Sequence, residues 1–236
     1  MAEAIASTED AGMRRFAAGP RRSLLAGATT TLRLMLRRVA SRVSLRSRER
    51  KLQLFRELMQ PGPDTTVVDV GVTDAPFGDG STDNFFEALY PWPERITAVG
   101  RTDLSRFTAA FPHVHAVRAD GRALPFADGS FDLGFSNAVV EHVDGGRDGQ
   151  RAFVNELCRV ARRVFVTTPN RFFPVEVHTL LPFAHWLPAG PRSRVLRRAG
   201  FDDVLEPLGP SELAALFPYR VRVLNRGMTL IAVGPA

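Results

Sequence analysis

Two stretches decide the fold of this chain: Val67-Val68-Asp69-Val70-Gly71-Val72-Thr73 and, later, Arg118-Ala119-Asp120-Gly121-Arg122-Ala123-Leu124-Pro125-Phe126. The first is a run of β-branched residues that ends in an aspartate and a glycine, a pattern typical of a buried parallel strand that leads into a tight turn. The second places another aspartate just beyond another predicted strand. The turn after the first strand is therefore a predicted binding site for a nucleotide-like ligand.

The chain beyond Pro63 alternates strand and helix patterns, which indicates βαβ units and a parallel sheet. The predicted strands are Thr66–Val70, Ile96–Val99, Val114–Arg118, Phe131–Phe135 and Val164–Thr167. The predicted helices run through Phe85, Phe86, Leu89 and Tyr90 with Ser81-Thr82-Asp83 as the cap, over Leu104–Phe111, over Gln150–Arg163, and from a capped start at Pro210-Ser211-Glu212-Leu213. Tyr219–Leu224 and Met228–Val233 flank Asn225-Arg226-Gly227 and predict an antiparallel hairpin.

The N-terminal part has a different composition and is predicted to be an extension, residues 1–46, ahead of a domain at 47–236. Its start is rich in small residues and is expected to be poorly ordered. Apolar residues then recur at helical spacing between arginines, at Leu32, Met35, Leu36, Val39 and Val43, and a second stripe follows at Leu52, Phe55 and Leu58. The later helix is expected to pack on the sheet edge. The earlier helix is interpreted as a solvated basic face, with peripheral membrane contact or partner docking left open.

Charge is distributed unevenly along the chain. Residues 14–56 contain twelve arginines and Lys51 against one acid, whereas the part from Glu57 onward has a net charge of −3. The overall charge of +6 therefore does not by itself indicate a nucleic-acid partner. The single cysteine, Cys158, excludes an internal disulfide and is interpreted as a packed thiol on a helix. With no long apolar run and no signal-peptide pattern, a cytoplasmic location is expected.

The two deciding stretches, followed by Gly129-Ser130-Phe131-Asp132-Leu133-Gly134-Phe135-Ser136-Asn137, resemble the class I S-adenosyl-L-methionine (SAM)-dependent methyltransferases. The resemblance covers about residues 48–236. It implies an α/β, Rossmann-like, seven-stranded and mostly parallel sheet with a C-terminal antiparallel hairpin and helices on both faces, preceded here by a basic helical extension. It also implies SAM as the cofactor.

The resemblance assigns cofactor-binding roles around the first two strands. Asp69 and Gly71 match the family's D-x-G turn, but Thr73 stands where the fuller D-x-G-x-G pattern has its second glycine. The family's acidic residue for the ribose hydroxyls is expected directly after the second strand, where this chain has Gly100. Asp103 is the substitute candidate, with capping of the next helix as its alternative role.

Further roles follow from the third and fourth strands. Asp120 resembles the aspartate that accepts a hydrogen bond from the adenine amino group, with the Gly121 and Arg122 backbone along the ring. The segment from Ser136 to Val143 resembles the stretch beneath the methionine moiety and contributes Asn137 as a cofactor contact. His142 is the candidate base for an acceptor that must lose a proton; its alternative is a structural histidine oriented by Glu141.

The segment from Thr167 to Pro188 resembles a subgroup of bacterial small-molecule methyltransferases of the ubiquinone-biosynthesis type. Its aromatics and histidines predict a substrate lid, with His178 as the candidate substrate contact. Plain coverage of a sheet edge by the aromatics is the alternative. Glu176, His178 and His185 fit no compact ligand spacing, so no metal is predicted.

Together these features predict an enzyme that methylates a small organic acceptor, with the hydroxyl of a secondary metabolite or glycan as the favoured group. One alternative is an inactive methyltransferase-fold binding or scaffold protein, because Thr73 and Gly100 depart from the cofactor pattern. The other is an RNA-directed methyltransferase that uses the basic N-terminus. A Rossmann oxidoreductase is disfavoured, since the first turn lacks the G-x-G-x-x-G pattern.

Overall fold

A computed structural model describes residues 45–78, 83–174, 183, 186–187, 189–198 and 206–236. Its centre is a seven-stranded sheet in the order β3-β2-β1-β4-β5-β7-β6. The strands are β1 (Val67–Val70), β2 (Ile96–Gly100), β3 (His115–Arg118), β4 (Phe131–Asn137), β5 (Ala161–Pro169), β6 (Arg222–Asn225) and β7 (Thr229–Gly234). Pairs among the first five strands are parallel, and β7 runs antiparallel to both β5 and β6. The predicted sheet and its C-terminal hairpin are confirmed.

Helices cover both faces of this sheet. They are α1 (45–59), α2 (Phe85–Leu89), α3 (Ser105–Ala110), α4 (Gly146–Val160), α5 (Ala189–Arg198) and α6 (Pro210–Ala214), with short 3-10 turns at Pro93–Arg95 and Val140–His142. In the described ranges, no helix combines the length and the apolar character that a membrane span requires.

The core forms two layers, one on each side of the sheet. One layer places α4 and α6 against the sheet and includes the buried Phe153, Leu157 and Leu213. The other layer contains α1, α2 and α3, and its centre is Phe55, whose ring centroid lies 5.4 Å from that of Phe135 and 5.5 Å from that of Phe165. The expected packing of this helix on the sheet edge is wrong, because these partners lie on the central strands β4 and β5.

Two predicted element boundaries also need correction. The helix predicted over Gln150–Arg163 begins at Gly146 and ends at Val160, because the chain enters β5 at Ala161 and pairs with Phe131. Asn84, rather than the 81–83 segment, precedes the first residue of α2, and its side chain makes no cap hydrogen bond. The predicted division at residue 46 falls within the stretch 45–59 that α1 occupies, and the earlier basic helix lies outside the described residues.

Candidate active site

A cavity of about 720 Å³ opens at the carboxyl ends of β1, β2 and β4. This is the edge at which open parallel sheets bind their ligands, and the volume lies within the usual range for small-molecule sites. Eight of the residues predicted from the sequence line it: Asp69, Gly71, Thr73, Asp120, Gly121, Arg122, Asn137 and His142. Residues from three different turns are thus brought together around one space.

The turn after β1 requires glycine at Gly71. Its φ of +118° lies in a region that other residues rarely adopt, and a Cβ atom there would collide with the side chain of Val139. The Gly71 N–H donates to the Val99 carbonyl at 2.8 Å, which ties the turn to β2. The glycine therefore lets the backbone turn sharply at the cavity wall.

The loop beyond this turn is held by a side chain instead of a second glycine. Asn84 Oδ1 accepts from the Thr73 N–H at 3.1 Å, and Asn84 Nδ2 donates to the carbonyls of Thr73 at 2.8 Å and Ala75 at 2.6 Å. Thr73 itself does not have a positive φ, so a side chain at this position is compatible with the backbone. Thr73 stands where the family pattern has a glycine, and here the hydrogen bonds from Asn84 hold the loop.

Two acidic side chains meet at the floor of the cavity. Asp69 and Glu87 are both buried, and their carboxyl groups interact. Burial raises the pKa of Glu87 to about 7, and burial together with Glu87 raises the pKa of Asp69 well above its usual value. In the described part of the chain, no N–H or hydroxyl donor reaches either Glu87 oxygen. The pair can therefore hold a proton between its oxygens and can also receive a cationic group.

Asp103 is placed differently from the other predicted residues, since it does not line the cavity. Its carboxylate accepts from the backbone N–H of Ser105 at 3.3 Å and from the Ser105 hydroxyl at 3.0 Å. These hydrogen bonds lower the pKa of Asp103. The contacts match the capping alternative, and the cavity wall beyond β2 is formed by Arg101 and Thr102 instead.

Asp120 projects from the loop after β3 and is already paired. Arg122 Nη2 donates to Asp120 Oδ2 at 2.7 Å, and the Arg122 backbone N–H donates to Oδ1 at 2.9 Å. These hydrogen bonds to Arg122 hold the pKa of Asp120 at about 2, so the carboxylate is ionised at neutral pH. An ionised carboxylate is a strong acceptor for an amino group, and each of its oxygens can accept more than one bond.

The carboxyl ends of β4 and β5 carry a polar cluster that the sequence patterns did not reveal in full. Asn137 Oδ1 accepts from Lys51 Nζ at 2.9 Å and from Thr167 Oγ1 at 2.8 Å. Thr168 Oγ1 donates to the buried Glu141 at 3.0 Å. Lys51 was missed because it lies 86 residues from Asn137 in sequence; the only available signal was that it is the sole lysine of the chain.

His142 lies at the end of the 3-10 turn and lines the cavity. Its Nε2 is 4.0 Å from Glu141 Oε1, and its side chain is one-third exposed whereas Glu141 is fully buried. The geometry is compatible with both predicted roles of His142. The ring borders the cavity, as a base would, and Glu141 lies close enough to orient it.

The predicted lid is described only in part. His178, Glu176 and His185 lie outside the described residues, so their roles remain predictions. Phe172 and Trp186 are exposed, at 64% and 48%, and Trp186 Nε1 donates to the Arg171 carbonyl at 2.7 Å. Within the described ranges, no three His, Cys, Asp or Glu side chains are grouped as metal ligands.

Comparison with known proteins gives one family and many related folds. Residues 93–164 match the family described as methyltransferase domain. A SAM-dependent methyltransferase from Mesorhizobium loti has 16% identity and a TM-score of 0.51, over 72% of this chain and 90% of that chain. The PH0226 protein from Pyrococcus horikoshii has 15% identity and a TM-score of 0.54, over 80% of this chain and 89% of that chain.

A third related structure comes from the complex that the Haloferax volcanii Trm112 methyltransferase activator forms with its candidate methyltransferase. That chain has 13% identity and a TM-score of 0.54, over 79% of this chain and 88% of that chain. No curated protein sequence matches the chain.

The strand order and these likenesses define the fold, which is that of the class I SAM-dependent methyltransferases. The predicted resemblance and the predicted fold are confirmed.

Proposed function

We propose that the chain transfers the methyl group of SAM to a small organic acceptor, with a hydroxyl as the acceptor group. The observation that carries the proposal is the convergence of eight predicted residues on one cavity at the carboxyl edge of the sheet. Sites at this edge are the usual ligand sites of α/β sheets. The residue roles below belong to this proposal.

The cavity residues fit the chemical groups of SAM. The Asp69–Glu87 pair supplies buried carboxyl groups beside the cavity, and no N–H or hydroxyl donor of the described residues reaches the Glu87 oxygens, which suits the ammonium or sulfonium of the cofactor. Asp120 is an ionised acceptor suited to the adenine amino group. Gly121 lies beside the same wall, and a Cβ atom there would approach Phe153 within 2.5 Å, so the backbone stays close to the core.

Bound SAM supplies a methyl group already activated by its sulfonium. The main work of the protein is then to align the acceptor and to exclude water. His142 borders the cavity and is the proposed base: it accepts the proton of the acceptor hydroxyl as the oxygen–methyl bond forms and the sulfur–methyl bond breaks. Glu141, buried beside it, would stabilise the protonated imidazole.

A small acceptor is favoured by the surroundings of the site. Apolar side chains such as Phe172 and Trp186 are exposed in the segment after β5, which offers apolar surface to an acceptor. The part of the chain from Glu57 onward is also net acidic, which disfavours RNA as the substrate. His178 is retained as the proposed substrate contact in this segment.

The test is calorimetric titration of the full chain with SAM and with S-adenosylhomocysteine. Wild type should bind both ligands, and Asp120→Ala should weaken both by about tenfold or more because a charged hydrogen bond is lost. Asp64→Ala is the matched control, since it removes a surface aspartate that is paired with Arg95. Its affinity should equal that of wild type.

Thermal unfolding of each variant shows whether a lost affinity reflects a lost fold. Absence of binding to wild type would overturn the proposal and favour the scaffold alternative. If Asp120→Ala binds both ligands as tightly as wild type, the chain still binds the cofactor, but Asp120 is not part of the binding site.

A further inference from the structure

Lys51 is the only lysine in a chain with 30 arginines, and it lies beside the cavity rather than on the outer surface. It projects from α1 one turn after Arg48, which lines the cavity. A charged group in this place loses hydration, and burial lowers the pKa of Lys51 to about 8. Arg48 lowers this pKa further, while Glu141 opposes the shift.

The contacts of Lys51 fix the orientation of the Asn137 amide. An ammonium group can only donate, so the atom 2.9 Å from Nζ must be the amide oxygen. The Thr167 hydroxyl donates to the same oxygen at 2.8 Å. The two N–H groups of Asn137 Nδ2 have no hydrogen-bond acceptor in the described part of the chain. They are therefore available to a ligand. Asn137 itself lines the cavity.

The lining of the cavity includes groups of opposite chemistry. Asp69 and Glu87 are acidic, whereas Arg48 and the donor group of Asn137, which Lys51 contacts, suit an anion. An amino-acid group carries an ammonium and a carboxylate on one carbon, so it matches both kinds of group. Its carboxylate requires N–H donors and nearby positive charge.

We propose that Lys51 is a positioning residue that orients Asn137 so that the Nδ2 group donates to the carboxylate of the cofactor's amino-acid end. The inference rests on the proposed function, because it requires the cofactor to bind in this cavity. It adds a role for α1, which none of the sequence motifs covers. Lys51 acts both through the amide that it holds and through its charge.

The test compares two ligands that differ only at the relevant end. S-adenosylhomocysteine has the amino-acid group, whereas 5′-methylthioadenosine lacks it. Lys51→Met should weaken S-adenosylhomocysteine by about tenfold or more and leave methylthioadenosine unchanged. Asn137→Asp should do the same, because it replaces the donor with a carboxylate. Gln53→Met, on an exposed position of the same helix, is the matched control and should have no effect.

The pH dependence separates this role from simple packing. Wild-type affinity for S-adenosylhomocysteine should fall between pH 7 and pH 9 as Lys51 loses its proton, because the lost charge faced the ligand carboxylate. The charged groups that face Lys51 are Arg48 and Glu141. The ammonium of the ligand also titrates at high pH, so a variant is needed to separate the two titrations. Lys51→Arg retains its charge and should lose clearly less affinity over this range than wild type.

A spectroscopic measurement observes Lys51 directly. Incorporation of ¹⁵N-lysine gives the full chain one side-chain ammonium resonance, that of Lys51. We expect a titration midpoint near pH 8 and a shift on addition of S-adenosylhomocysteine but not of methylthioadenosine. The inference would be overturned if Lys51→Met bound S-adenosylhomocysteine as tightly as wild type and the Lys51 resonance did not respond to the ligand. The proposed function would still stand in that case, because wild type binds. Absence of wild-type binding would overturn both.

Discussion

Asp69 at the centre of β1 and Glu87 in α2 place two buried carboxyl groups in contact beneath one cavity. Two adjacent carboxylates cannot both be ionised at low cost, so one proton is retained between them at pH values where an exposed pair would have lost both. Such an arrangement reduces the stability of the folded chain unless a cation enters the cavity.

This pair predicts a stability profile with a clear sign. The folded-state pKa values of both groups are raised, so this pair binds more protons in the folded chain than in the unfolded chain. Its contribution to the free energy of unfolding should fall as pH rises from about 4 to 7. Glu87→Gln should flatten this fall and raise stability at pH 8 by about 1 kcal/mol or more. Denaturant unfolding of both proteins at several pH values measures the difference between their profiles; a Glu87→Gln profile parallel to that of wild type over this interval would contradict the assignment.

Ala138 follows β4 with a φ of +57°, a backbone conformation that costs energy for a residue with a Cβ atom. Its N–H donates to the Thr167 carbonyl at 3.0 Å, which holds the turn in place at the cavity wall. Ala138→Gly should therefore raise the free energy of unfolding by about 0.5–1 kcal/mol, and Ala138→Val should lower it by about 1–3 kcal/mol. Chemical denaturation of the two variants gives the comparison. Equal stabilities would show that the turn is relaxed in solution.

Asn84 is predicted to control the order of the loop at Thr73 and Ala75 more than the overall stability. Asn84→Gly keeps the left-handed backbone at a φ of 53° but removes the three hydrogen bonds to the loop at Thr73 and Ala75. We expect about a tenfold loss in S-adenosylhomocysteine affinity, because the loop must then be ordered on binding. Asn84→Asp is the informative companion, since it keeps the acceptor for the Thr73 N–H and removes both donors. If both variants bound S-adenosylhomocysteine as tightly as wild type, contacts other than those of Asn84 would be responsible for ordering the loop.

Arg159 of α4 is predicted to be the main support of the loop that leads into β4. Its guanidinium donates to the carbonyls of Phe126 at 2.8 Å and Leu124 at 3.0 Å and also pairs with Glu156 at 2.7 Å. Arg159→Ala should lower stability by about 1–3 kcal/mol, and Arg159→Lys should restore little, because one ammonium cannot span these acceptors.

Arg162→Ala is the control for this series. Its side chain is 71% exposed and makes one ion pair, to Asp132 at 3.4 Å, so the change should cost less than about 0.5 kcal/mol. Urea denaturation of the three variants tests the order. A loss at Arg162 as large as that at Arg159 would contradict the role given to the latter.

The sequence was sufficient where local pattern and burial agree. The β-branched run at Val67–Val70 and the alternation around Asn225-Arg226-Gly227 each correspond to an observed strand or hairpin. The Asp120 loop could also be placed, because a distinctive motif follows its strand. In these places the local chain contains the information that the fold uses.

Other features depend on contacts that no local pattern encodes. The start of β5 at Ala161 was assigned to a helix because Arg162 and Arg163 continue a helical composition, and only pairing with β4 makes them a strand. The Lys51–Asn137 bond joins residues 86 positions apart. The pairing of Asp69 with Glu87 likewise requires α2 to fold back over β1. Tertiary packing, rather than propensity, determines these three.

The position of β7 between β5 and β6 affects how the sheet can be completed. β6 precedes β7 in the chain, yet among the described strands β7 is its only neighbour in the sheet. Until β7 pairs with both strands, β6 therefore has no edge to join among the described strands, and β5 presents an unpaired edge of its own. The folding chain must keep the β5 edge from other strands until the last strand of the sequence is inserted.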